Sequence, residues 1–139
     1  MLFNPAESID FNGNTGPFIL YTYARIQSIF RKAGLNPEFL ADTVKTEGIV
    51  LTKPEKEIIK LIYQYPEVLM TACENFNPSS IANYCFDLVK LFNHYYQDTP
   101  IFKGVEPQVS NFRMALSWYV GKIIRHATGL LGIGVTDRM

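Results

Sequence analysis

Two aromatic rings and a guanidinium stand at i, i+3 and i+7 near the start of this 139-residue chain: Phe18, Tyr21 and Arg25. Residues so spaced line up on one side of a helix. Rings supply stacking faces, and a guanidinium supplies a planar, permanently charged set of hydrogen-bond donors. The three form a candidate binding ridge. Aromatics at helical spacing also build cores, and a cation beside a tyrosine can be a structural cation–π contact. Residue chemistry alone leaves these readings open.

The ridge needs a helix to hold it, and Gly13 to Gly34 reads as one. Thr15 can cap it, Gly16 loosens the entry, and Pro17 suits a first helical position, where its missing N–H has no helical partner. Gly34 is a natural stop. Arg31 and Lys32 occupy the last turn, where the helix dipole favours positive charge. At about 100° per residue, Ile19, Tyr23, Ile26, Phe30 and Ala33 fall within an arc of about 80°. That arc is an ordinary core stripe, centred about 130° from the ridge.

Read in order, Gly13, Asn14, Thr15, Gly16, Pro17, Phe18, Ile19, Leu20, Tyr21, Thr22, Tyr23, Ala24 and Arg25 resemble the pattern G-N-T-G-P-Y-x-Q-Y-x-x-x-R. That pattern marks the junction in arginyl-tRNA synthetases between the catalytic domain and the helical anticodon-binding domain. The segment IANYCFDLVKLFNHYY resembles the family helix IANYLYDLAKxFNxFY, and LLGIGVTDRM resembles the family ending. The resemblance covers essentially the whole chain. Phe18 stands where the family has tyrosine, and Leu20 where it has glutamine, so a hydroxyl and an amide are lost. The Asp-Ala-Leu-Arg string after which the domain is named is not literally present.

The resemblance implies an all-α fold, an irregular bundle of about five main helices of the class Ia synthetase type. It implies a connector over residues 1–15 from a catalytic domain, and a helical anticodon-binding domain over 16–139. Leu2, Phe3, Ile9 and Phe11 would pack near that catalytic domain. Met1 matches an internal family position, so the chain is expected to be a piece of a longer enzyme. The implied function is recognition of the anticodon loop of arginine tRNA. Phe18 and Tyr21 would stack on bases, and Arg25 would meet a base edge or a phosphate. An aromatic near the end of the IANY helix adds a platform, with Tyr96 the best match and Tyr95 the alternative. Met139 would cover the base pocket. In the family ATP activates arginine, which is then transferred to tRNA. ATP and magnesium belong to the catalytic domain, with its HIGH-like and KMSKS-like motifs. This chain has neither motif, so no catalytic residue, metal or cofactor is expected in it.

Composition agrees with a single folded domain. At 47% hydrophobic and 19% charged the chain is not disordered, and its length buries enough surface for a core without staples. No apolar run reaches membrane-spanning length, and no secretory signal follows Met1. A monomeric, cytoplasmic protein without membrane contact is expected, its partners being arginine tRNA and the catalytic domain of the same enzyme. Net charge is zero, which is unlike a binder working by bulk phosphate neutralisation. The first helix, however, carries Arg25, Arg31 and Lys32 and no acid, and bases outnumber acids again from Lys103 onward. Binding a few splayed bases needs aromatic platforms more than a large basic face.

The remaining segments read as scaffold. Asn36-Pro37 starts a short piece, and Thr52 with Glu55 makes a capping box for a helix ending near Tyr65. Pro66 is expected to start a separate helix. Asn77-Pro78 opens a long one to about Gln97, with Ile81, Tyr84, Cys85, Leu88, Phe92 and Tyr95 as core. The last runs from about Pro107 to Leu131, with Phe112, Leu116, Tyr119, Ile123, His126 and Leu130 along one side, and an extended tail follows. Cys73 and Cys85 are expected to be buried free thiols. His94 reads as a solvated rim residue and His126 as a satisfied one at a core edge. The other function class in view is a helical protein-interaction module using Phe18 and Tyr21 as hot spots.

Overall fold

Among the described residues, proline lies in the first turn of each of five helices, and four of them also have a capping side chain. A computed structural model describes residues 15–139, so apart from Thr15 the expected connector lies outside the described residues. The elements are α1 (Gly16–Ala33), α2 (Pro37–Thr43), α3 (Lys53–Glu74), α4 (Pro78–Asp98) and α5 (Pro107–Leu130). No strand occurs among the described residues. The fold is the expected all-α bundle. Helix α5 runs through its middle and packs against each of the other four.

Local signals set most boundaries. The Thr15 hydroxyl accepts from the Phe18 N–H, and Gly34 ends α1 at φ 64°, a left-handed conformation that glycine adopts without a Cβ clash. The Thr52–Glu55 capping box opens α3 with both of its reciprocal bonds in place.

Two expectations need correction here. Pro66 does not start a helix; it lies inside α3, which continues to Glu74. An interior proline removes one ladder bond and crowds the preceding turn, at a cost of about 3 kcal/mol. Packing overrides it. Ile58, Tyr65 and Ala72, spaced by seven, form one buried seam. The Tyr84 hydroxyl donates to the Leu61 carbonyl at 2.7 Å, holding α4 against the turn that the proline disturbs. Cys73 is also exposed, not buried, because it lies about 100° round from Ala72, the residue that faces inward. Cys85 is buried as expected, and burial pushes its thiol up to about 12.

The buried side of α5 is turned from the expected one. Leu116, Val120, Ile124 and Ala127 face the core with Ser117, Gly121 and Thr128, while Tyr119 and Leu130 point to solvent. A central helix needs small residues where neighbours approach. A Cβ built on Gly121 would lie 3.2 Å from the Ile26 side chain of α1. The histidines sit as expected. His94 is solvated and pairs with Asp98 at 3.1 Å, and His126 Nδ1 is 2.7 Å from the Tyr65 hydroxyl.

Among the described residues, one that bears a side chain has a positive φ. Phe76 closes α3 at φ 50° with its side chain 92% exposed. Its position is the left-handed one of a Schellman-type cap, in which the Asn77 N–H reaches the Ala72 carbonyl. Left-handed backbone costs a side-chain-bearing residue about 1–2 kcal/mol. Glycine's extra freedom when unfolded returns about 0.5–1 of that. Phe76→Gly should therefore raise stability by up to about 1 kcal/mol in urea denaturation. A loss would mean that the ring is packed after all.

Candidate nucleic-acid interface

Helix α1 carries Tyr21, Arg25, Ser28 and Lys32 at i, i+4, i+7 and i+11, a single stripe along one side. The last turn of α4 brings Tyr96 opposite that stripe. The tail closes the third side. Arg31 Nη1 donates to the Asp137 carbonyl at 2.8 Å, the Thr136 hydroxyl donates to the Arg138 carbonyl at 2.9 Å, and half-buried Val135 packs on the core. Between them lies a cavity of about 550 Å³ lined by Tyr21, Ala24, Arg25, Ser28, Arg31, Lys32, Tyr96, Arg138 and Met139. Its lining includes the cations Arg25, Arg31, Lys32 and Arg138 and no acidic side chain.

Arg25 is the centre of this site. Its guanidinium lies 4.9 Å from the Tyr21 ring centroid and 5.2 Å from that of Tyr96, within cation–π range of both. Arg25 Nη1 donates to Asn93 Oδ1. Asn93 is buried, and its Nδ2 donates to Thr22 Oγ1 at 2.6 Å and to the Val89 carbonyl at 3.0 Å. The Thr22 hydroxyl donates to the Phe18 carbonyl at 2.9 Å. The cation is thus tethered to the core at one edge, and Arg25 lines the cavity.

An ion pair on the far side of α4 decides which tyrosine reaches the cavity. Glu55 is 1% exposed and accepts from Arg113 Nε at 2.9 Å and from the Tyr95 hydroxyl at 3.4 Å. Burial opposes ionisation of Glu55. The Thr52 N–H and hydroxyl and the Arg113 guanidinium outweigh it, and the carboxyl titrates below its usual range. Burial beside this carboxylate raises the Tyr95 phenol. With Tyr95 drawn inward, Tyr96 falls about 100° further round, on the cavity side. Its ring is half-buried and stands 6.2 Å from that of Phe92.

The structure therefore brings Tyr21, Arg25, Tyr96 and Met139 together around one cavity. Phe18 lies outside its lining, half-buried with its ring 5.8 Å from Phe86. The buried arc of α1 is wider than the expected stripe and includes Thr22 and Ile29, which carries the core up to the Phe18 edge of the ridge. Sequence reasoning did not place Ser28 or Asn93 in the site, and read Arg31 and Lys32 through the helix dipole and as basic charge on an acid-free helix. Ser28 and Lys32 continue the i, i+4, i+7 series from Tyr21, so the signal was there. Nothing local marked Arg138, which reaches the cavity only because the tail folds back. A second cavity of about 440 Å³, lined by Tyr23, Glu38, Trp118, Lys122 and Arg125 among others, holds no ridge residue.

Comparison with known proteins places the fold in a family. A family model described as the DALR anticodon binding domain matches residues 19–139. All 139 residues align with an arginine–tRNA ligase of Bacteroides thetaiotaomicron at 49% identity and with one of Phocaeicola vulgatus at 48%, in each case over 23% of that protein. The chain thus spans about a quarter of the length of these relatives. Among solved structures, arginyl-tRNA synthetase of Thermus thermophilus superposes with a TM-score of 0.87 at 26% identity, over 99% of this chain and 23% of that one. Arginyl-tRNA synthetase of Plasmodium falciparum gives 0.82 at 25%, with the same coverage. A helical bundle of this topology, matched along almost its whole length, has one assignment: the chain belongs to the DALR anticodon-binding domain family.

Proposed function

We propose that this domain recognises the anticodon loop of arginine tRNA, as part of a longer cytoplasmic arginine–tRNA ligase that attaches arginine to tRNA at the expense of ATP. The observation that carries the reading is Arg25, held between the Tyr21 and Tyr96 rings at the edge of an acid-free, cation-lined cavity. A splayed base can stack on an aromatic face while the free guanidinium donors meet its edge or a neighbouring phosphate. Arg31, Lys32 and Arg138 supply charge for the backbone, and the flexible Met139 thioether suits a cover over bases of different shape. Phe18 contributes by supporting the helix start. ATP and magnesium are assigned to parts of the enzyme outside this chain. Among the described residues no group of three His, Cys, Asp or Glu side chains could hold a metal ion.

A protein-interaction module built on Phe18 and Tyr21 is the weaker reading. Phe18 packs against Phe86, and Tyr21 carries the Arg25 guanidinium over its ring in a cavity that four cations line. The discriminating experiment is titration of the chain with a synthetic anticodon stem-loop of arginine tRNA at several salt concentrations. Binding should be selective over a stem-loop with a scrambled loop. With two to four phosphates neutralised, log K should fall against log salt with a slope of about −1.4 to −2.8. Salt-independent or unselective binding would count against anticodon recognition.

A further inference from the structure

Stacking alone does not orient a guanidinium. A planar cation between ring faces can turn about the ring normal with little change in energy, so Tyr21 and Tyr96 set the plane of Arg25 but not its rotation within it. Among the described residues, the guanidinium has one hydrogen bond to set that rotation, from Arg25 Nη1 to Asn93 Oδ1.

The polarity of that bond is forced from the core outward. The Thr22 hydroxyl spends its only hydrogen on the Phe18 carbonyl, so Thr22 Oγ1 can serve Asn93 only as an acceptor. Asn93 must then turn its Nδ2 toward Thr22 and the Val89 carbonyl, two acceptors at once. Its Oδ1 is left facing Arg25. A flipped amide would set donor against donor at the guanidinium and acceptor against acceptor at Val89. We propose that Asn93, with Thr22 behind it, is a positioning residue that fixes which donors of Arg25 face the cavity. Arginine has much rotamer freedom to lose on binding, and a tether set in the free protein removes part of that loss. The binding consequence rests on the anticodon reading; the tether itself does not.

The test has two independent readouts on the whole chain. In the first, NMR follows the Nη signals of Arg25. They should show slowed rotation in the unsubstituted chain, average in Asn93→Ala, and stay slowed in Asn93→Asp, which keeps the acceptor. Slowed Nη signals persisting in Asn93→Ala would overturn the inference. In the second, stem-loop affinity is measured in a double-mutant cycle. Asn93→Ala should weaken binding about tenfold beside Arg25, the scale of one hydrogen bond to a charged group. Beside Arg25→Ala it should add no further loss. Equal losses in both backgrounds would mean that Asn93 acts through the fold alone, against the proposal. Thr22→Val, which keeps shape and leaves Asn93 in place, serves if Asn93→Ala folds poorly; it should give a smaller loss with the same dependence on Arg25. Should the unsubstituted chain bind no stem-loop, the anticodon reading fails, and the Arg25 spectra still decide the tether.

Discussion

Glu55→Ala should destabilise the domain by about 3–5 kcal/mol, the range for removing one partner of a buried ion pair. The Arg113 side chain is only 12% exposed, and without Glu55 it keeps just the Pro100 carbonyl, at 2.7 Å. The same substitution removes half of the Thr52 capping box, worth about 1 kcal/mol more. Urea denaturation followed by helical circular dichroism measures the sum. Glu55→Gln should separate the charge from the cap, because the amide oxygen can still accept from the Thr52 N–H. The pH dependence has a definite sign. The folded carboxyl titrates below its unfolded value of 4.5. The stabilisation is therefore complete above that value and is lost as pH falls through the lower, folded one. The acid side of the stability profile should be steeper in the unsubstituted chain than in Glu55→Gln. Identical profiles would show that the carboxyl is not held ionised by this network.

How much of this was legible beforehand differs by kind of signal. The capping box and the proline starts are local grammar, and the helices begin where that grammar puts them. Glu55 was legible as a cap but not as an ion pair, since Arg113 lies 58 residues away and Tyr95 lies 40 away. Pro66 was misread because its local cost is real and the compensating seam with α4 is tertiary. The side of α5 was misread for a related reason. Periodicity was scored by bulk, whereas a helix with neighbours on several sides buries its small residues and turns rings such as Tyr119 outward.

The site divides along the same line. Tyr21 and Arg25 share a stripe on one helix, so spacing found them. Spacing placed Tyr95 in the core stripe while the family match left Tyr95 and Tyr96 both open; the hydrogen bond to Glu55 separates them. Asn93 matches an asparagine of the family helix, but its tether to Arg25 had no signal, because a buried amide three residues before a tyrosine is indistinguishable from a surface one until α1 is laid across it. The fixed part of the site is therefore mostly tertiary, while the part that would meet a ligand is mostly helical pattern.

That division predicts a crossed result for two residues of α1. Tyr21 is 39% exposed, lies over Arg25 and lines the cavity. Ile26 is fully buried and packs against Gly121 of α5. Tyr21→Ala should weaken stem-loop binding by about 1–3 kcal/mol, the range for a base–aromatic stack. It should lower folding stability by less than about 1 kcal/mol, the scale of an exposed cation–π contact. Ile26→Ala should do the reverse. Removing its side chain opens a cavity against a glycine that has nothing to fill it, for a loss of about 2–5 kcal/mol in stability. Whatever remains folded should bind with little change, because no Ile26 atom lines the site. Both quantities can be read on one sample set, by urea denaturation and by fluorescence titration of the labelled stem-loop. If Tyr21→Ala unfolds the chain while binding by the folded fraction is intact, then the ring is core and the cavity is not the binding site. If both variants lose binding in proportion to stability, recognition is spread over the bundle, and no single face of α1 carries it.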